Sequence, residues 1–176
     1  TERKQMEEQL FLNESRLEAL VDLGKMTSGS IEDIIVFTLE ELIRQTGSTI
    51  GNLVFLNDDE TVRQKYNWPN NTTATYWIDD KFDDGSVDTA TPWREAVRQR
   101  KSTIINKTIN PIPLQIELPD GSVRVTCHAS VLVFNGDKIV AVASVGNKKG
   151  EYDQVDVRHL NLLLQGMWRL VQNKQA

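Results

Sequence analysis

Residues 123–146 read VRVTCHASVLVFNGDKIVAVASVG. Val123, Val125, Val131 and Val133 fall in register, an Asn135-Gly136-Asp137 break follows, and an apolar run from Ile139 to Val145 completes the stretch. β-Branched residues alternating on both sides of an Asn-Gly turn predict an antiparallel hairpin. The second arm is apolar on both faces, which predicts the centre of a sheet covered on both sides. Neighbouring side chains of a strand leave it on opposite faces. One face of the first arm therefore carries Val123, Val125, Cys127, Ala129, Val131 and Val133. The other carries Arg124, Thr126, His128, Ser130, Leu132 and Phe134. His128 lies on the more polar face, the one expected to look into a pocket. Cys127 stands among small apolar residues.

The flanks supply cover for this hairpin. Residues 1–23 carry Met6, Leu10, Leu17 and Leu20 or Val21 at helical spacing among charged residues. They predict either an amphipathic helix packed on its own domain or a linker or signalling helix whose stripe (Met6, Leu10, Leu17, Val21) pairs with a second chain. Residues 24–176 are expected to form the domain that this helix adjoins. Ser30 with Asp33 predicts an N-cap, Ile31 to Ile43 an apolar helix stripe, and Gly47 its end. Strands are expected over 49–56 and 61–68. An irregular acidic segment from Thr72 to Asp88 holds Tyr76, Trp77 and Phe82, read either as a pocket lid or as loop anchors. A short helix opens at Pro92, a strand covers 101–106, and the three prolines of 110–119 predict an extended loop. The last helix is expected from Asp153 to about Gln172, capped by Asp153 with Asp156 inside it. Strands confined to the middle, with amphipathic helices at both ends, predict an α/β (α+β) sandwich. Its mostly antiparallel sheet would carry the terminal helices on one face and loops plus a short helix on the other. The hollow on that second face is the expected ligand site.

Composition narrows the function. The chain has 176 residues, a formal net charge of −5 and one cysteine. An acidic balance argues against a general nucleic-acid binder. The single cysteine excludes an internal disulfide framework and suits a reducing, cytoplasmic setting. No apolar run reaches membrane-spanning length, so direct membrane insertion is not expected. Dinucleotide, phosphate-loop and His-Glu-x-x-His motifs are absent, and Gly146-Asn147-Lys148-Lys149-Gly150 reads as a plain strand-to-helix connection. Cys127 and His128 diverge, which makes them a poor nucleophile–base pair and too few for a zinc site. A haem needs only one axial His or Cys and an apolar envelope, to which Tyr76, Trp77 and Phe82 would contribute. His159, in the last helix, reads as a surface or core-edge residue.

The run from His128 to Val171 resembles the end of GAF domains attached to PAS-containing sensor histidine kinases of archaea and bacteria. The resemblance rests on His128, Ser130, Val131, Val133, Asp137 through Val142, Val145 to Lys148, Tyr152, Asp156 to Arg158 and Gly166 to Trp168. The opening TERKQMEEQL is similar to a helix leaving a PAS domain. The resemblance implies a non-catalytic input module that binds a small ligand and relays its state through terminal helices. It further implies a homodimer, with adjoining PAS and kinase domains as partners. Some members bind cyclic nucleotides, some bilins, some haem, and one archaeal group holds haem with a cysteine and a histidine as a redox sensor. A haem-binding redox or gas sensor using His128 and/or Cys127 is therefore the alternative expectation. Cys127 stands where the pattern has arginine, Leu132 where it has proline, and no bilin-type cysteine lies in the irregular segment. A thiol-dependent reductase built on this fold is the remaining alternative, though Cys127 has no second thiol to resolve it.

Overall fold

A computed structural model describes residues 1–26, 28–68, 92–107, 115–118 and 121–175. The helices are α1 (Glu2–Gly24), α2 (Ile31–Thr46), α3 (Pro92–Gln99) and α4 (Gln154–Gln175). The strands are β1 (Ile50–Leu56), β2 (Val62–Trp68), β3 (Thr103–Ile105), β4 (Gln115–Leu118), β5 (Gly121–Arg124), β6 (His128–Asn135) and β7 (Lys138–Gly146). Five of them form one antiparallel sheet in the order β2-β1-β7-β6-β3. The doubly apolar arm, β7, is its centre.

The hairpin turns as its sequence requires. Asn135 pairs with Lys138, so Gly136 and Asp137 form a two-residue loop. Gly136 has φ of +69°, the left-handed conformation that this turn needs and that glycine adopts without penalty. The register shifts once, between Val133 and Phe134, leaving Val140 without an opposite partner.

The first arm begins at His128, not at Val123. β7 ends at Gly146, opposite His128, so the ladder has no partner strand for residues 125–127. Thr126 and Cys127 bond instead to Asn147, whose side-chain oxygen accepts from the Thr126 amide at 2.8 Å and whose amide donates to the Cys127 carbonyl at 2.9 Å. Val123 belongs to β5, which pairs with β4 in a separate two-stranded ribbon. The proline-rich stretch 110–119 therefore contains a strand rather than loop alone; Gln115–Leu118 is the part of it that lacks proline and can donate to a ladder.

Helices α2 and α4 cover one face, and α1 packs against both. Ile34, Leu39, Leu42, Leu160, Leu164 and Met167 pack there against Leu53, Phe55, Ala129, Val131, Ala143 and Val145. α2 starts with a reciprocal Ser30–Asp33 capping box and stops at Gly47, whose φ is +70°. α4 starts likewise: the Asp156 amide donates to Asp153 at 2.9 Å and the Asp153 amide to Asp156 at 3.2 Å. α3 covers part of the other face, where Trp93, Ala96 and Val97 meet Val54, Leu56, Leu132, Ile139 and Val142. α1 is divided. Residues 1–11 are all exposed, whereas Arg16, Ala19 and Leu23 are buried against the domain. Among the described residues no helix is long and apolar enough to cross a membrane.

Candidate functional site

Alternation along each strand sends Leu53, Ala129, Val131, Ala143 and Val145 toward the helices and their neighbours toward the α3 side. Those neighbours include polar residues. Cross-strand pairing aligns them: Asn67 opposes Asn52, Asn52 opposes Ser144, Ser144 opposes Ser130, and Ser130 opposes Thr103. One polar row thus crosses all five strands. Asn52, Ser130 and Ser144 are at most 1% exposed. The two serine hydroxyls bond to each other at 2.6 Å. The buried Oδ1 and Nδ2 of Asn52, Oδ1 of Asn67 and Oγ1 of Thr103 have no hydrogen-bond partner among the described residues.

His128 lies one pair further along the same face, opposite Gly146 and Ile105. It is 6% exposed, and burial lowers its pKa to about 4, so the imidazole is neutral at physiological pH. Its Nδ1 is buried without a partner among the described residues. Cys127 lies on the other side of the sheet, in the core beneath the helices, with its thiol 3.6 Å from the Lys148 carbonyl. The two side chains flank the sheet instead of sharing one hollow. Tyr76, Trp77 and Phe82 lie outside the described residues. Trp68 packs at the edge of the helix-side core.

Beneath Cys127 a second polar group ties the helices together. Asp156 in the first turn of α4 accepts from Lys148 Nζ at 2.6 Å and from Arg16 Nη2 at 3.1 Å. Arg16 also donates to the Gln45 carbonyl at the end of α2 at 3.1 Å. The Gln45 side chain returns to the Ser15 carbonyl at 3.3 Å and to Glu41 at 3.0 Å. Arg16 and Asp156 are buried to 3% and 1% exposure. Nearby, the Tyr152 hydroxyl bonds to Ser48, and burial raises its pKa. His159 is half-buried and its pKa is lowered, mainly by desolvation and then by Arg16. Among the described residues no three His, Cys, Asp or Glu side chains gather as a metal site.

The proposed pairing stripe of α1 stands clear of the domain. Met6, Leu10, Leu17 and Val21 are 71%, 60%, 61% and 55% exposed. The polar row and the Arg16–Asp156 bridge were not singled out from sequence. The row left a trace there as lone polar residues inside apolar strands: Asn52 in TIGNLVFL and Ser144 in IVAVASVG.

Known proteins bear on this geometry. The GAF domain profile matches residues 28–172. A methyl sulfide methyltransferase-associated sensor of Methanosarcina acetivorans is 45% identical over 175 residues, which is 99% of this chain and 18% of that protein. The chain thus spans less than a fifth of that relative. The free methionine-R-sulfoxide reductase of Neisseria meningitidis superposes with a TM-score of 0.62 at 10% identity, over 92% of this chain and 88% of that one. The GAF domain of an Acinetobacter phosphoenolpyruvate-protein phosphotransferase gives 0.60 at 9% identity, over 92% and 95%. At such identities the likeness is one of fold. With the profile covering most of the chain and a sensor relative matching nearly all of it, the chain belongs to the GAF domain family.

Proposed function

We propose that this chain is a non-catalytic input module of a signal-transduction histidine kinase. A small ligand would sit on the sheet face that carries His128 and the polar row, and its state would reach α1 and α4. The observation that carries this reading is the buried bridge from the β7–α4 connection to α1. His128 adjoins Cys127, Cys127 is tied to Asn147 and Lys148, Lys148 holds Asp156, and Asp156 holds Arg16. A shift at the ligand face would thus act on a charged contact between packed helices, which tolerates two discrete arrangements better than a continuous slide. The kinship with a sensor of Methanosarcina acetivorans supports the same role. The exposed stripe of α1 supports a homodimer that couples the module to neighbouring PAS and kinase domains.

Hydrogen exchange of α1 tests the relay. His128→Ala, which touches no part of α1, is expected to change exchange over residues 12–24 at least fivefold while β1 and β7 stay protected. Asp156→Asn is expected to abolish that response. Unchanged α1 exchange in His128→Ala removes the relay.

Haem is the second reading, favoured by one observation: a neutral, buried imidazole on the ligand face whose Nδ1 has no partner among the described residues. His128 fits as one axial ligand. Cys127 does not, because it leaves the sheet on the helix side. Haemin titration followed in the visible decides it. A sharp band saturating at one haem per chain and lost in His128→Ala supports haem; a broad band that never saturates ends that reading.

A further inference from the structure

The polar row is an anomaly in its own sheet. β1 and β7 are otherwise almost wholly apolar, and Val54, Val142 and Leu132 fill the next row with hydrocarbon under α3. A core selected for stability alone would continue that packing, because buried polar atoms without partners lose water and gain nothing. Here Asn52, at 0% exposure, keeps both ends of its amide without a partner among the described residues. Asn67 and Thr103 add one such atom each at the two ends of the row.

The chemistry of the row restricts its occupant. It contains no carboxylate, ammonium or guanidinium, so the row itself offers no counter-charge to an anion or a cation placed on it. Burial holds the adjacent His128 neutral. An asparagine amide offers an acceptor and a donor side by side in one plane. Its natural complement is another coplanar donor–acceptor edge. The row from Asn52 to Ser130 spans two strand spacings, about 10 Å, the width of a molecule of one or two rings.

We propose that the row is the floor of a binding site for a small, uncharged, planar molecule with a carboxamide or lactam edge, which Asn52 reads by two hydrogen bonds. Ser130 and Ser144, already bonded to each other, contribute a polar surface beneath it. Thr103 and Asn67 bound the site at its two ends. This assignment rests on the sensory reading above and names the ligand class for that same face.

The test is an NMR titration of the isotope-labelled chain with nicotinamide as the carboxamide, 2-pyridone as the lactam and nicotinate as the charged counterpart. Even poor ligand efficiency gives a probe of about nine heavy atoms a dissociation constant near 10 mM, so titration to about 50 mM is decisive. The expected result is a saturable shift of the Asn52 side-chain amide with both neutral probes. Binding of nicotinate should be at least tenfold weaker. Asn52→Leu should weaken the neutral probes at least tenfold with the backbone spectrum otherwise preserved. Thr103→Val, at the half-buried sheet edge, gives a second variant if Asn52→Leu does not fold, with an expected threefold loss. No shift with either neutral probe, or equal affinity for nicotinate, overturns the assignment. If α1 exchange responds to His128→Ala while both probes fail, the ligand class falls and the relay stands. If the probes bind and α1 is unmoved, the site stands and the relay falls.

Discussion

Arg16 of α1 and Asp156 of α4 meet at 3.1 Å with their side chains 4% and 2% exposed, 140 residues apart in sequence. A buried pair of this kind is rarely a net gain over hydrocarbon, but losing one partner strands the other. The two partners are not equivalent. Asp156 balances both Arg16 and Lys148 and helps cap α4, so Asp156→Asn leaves two cations around a neutral amide. Arg16→Met leaves Asp156 still held by Lys148. The expected losses in urea unfolding are about 3–5 kcal/mol for Asp156→Asn and about 1–2 kcal/mol for Arg16→Met. The reverse order would mean that the bridge is organised by Arg16 alone.

His128 makes stability depend on pH. Its folded pKa, about 4, lies below the ordinary value of 6.5 because burial penalises the imidazolium. Between those values the unfolded chain binds the extra proton. The contribution is therefore complete above about pH 6.5 and is lost as pH falls toward 4, with a slope approaching about 1.4 kcal/mol per pH unit. Asp59 and Glu95 have lowered pKa values, so their losses come mainly below their ordinary carboxylate range. His159 is lowered in the same direction and adds to the slope. Denaturant midpoints measured from pH 7 to pH 4.5 should fall steeply in the wild type and clearly less in His128→Leu. An unchanged slope in the variant would show that His128 is reached by water.

These two histidines mark what sequence can and cannot show. Local signals were legible: Ser30 with Asp33, Gly47, Asp153 with Asp156, and the Asn-Gly turn each act within a few residues, and each is found as expected. The face of His128 followed from strand alternation. The break at residues 125–127 did not, because it depends on where β7 stops and Asn147 takes over. The polar row was hidden for a related reason. Asn52 and Ser144 are each a lone polar residue in an apolar run, and only the register of two strand pairs puts them beside Ser130. Arg16 was unreadable because a charged residue in a charged helix predicts solvent, whereas Asp156, far along the chain, buries it.

The Ser130–Ser144 pair separates hydrogen bonding from shape. Both hydroxyls are buried and each is the other's partner at 2.6 Å. Ser130→Ala or Ser144→Ala alone leaves one hydroxyl without that partner and should cost about 1–3 kcal/mol. The double variant removes both polar groups and should lie closer to the wild type than the sum of the singles. Denaturant midpoints of the four proteins form the cycle. Strict additivity would mean that the occupant of the polar face, not the partner serine, satisfies each hydroxyl.

The α1 stripe gives the assembly its test. Met6, Leu10, Leu17 and Val21 repeat at spacings of four, seven and four, and all stand more than half exposed on a helix whose first eleven residues are all exposed. Exposed positions of this kind contribute within about 0.5 kcal/mol to the fold of one chain. A carboxylate placed in a helix–helix seam, by contrast, must lose its water to remain there. Leu10→Glu and Leu17→Glu should therefore leave the thermal midpoint of the domain within a degree or two. They should also weaken self-association at least tenfold. Light scattering across a concentration series reads both the wild-type mass and its loss. A wild-type chain that stays monomeric at the highest concentration, or a dimer indifferent to both glutamates, would assign the stripe to a partner other than a second copy of α1.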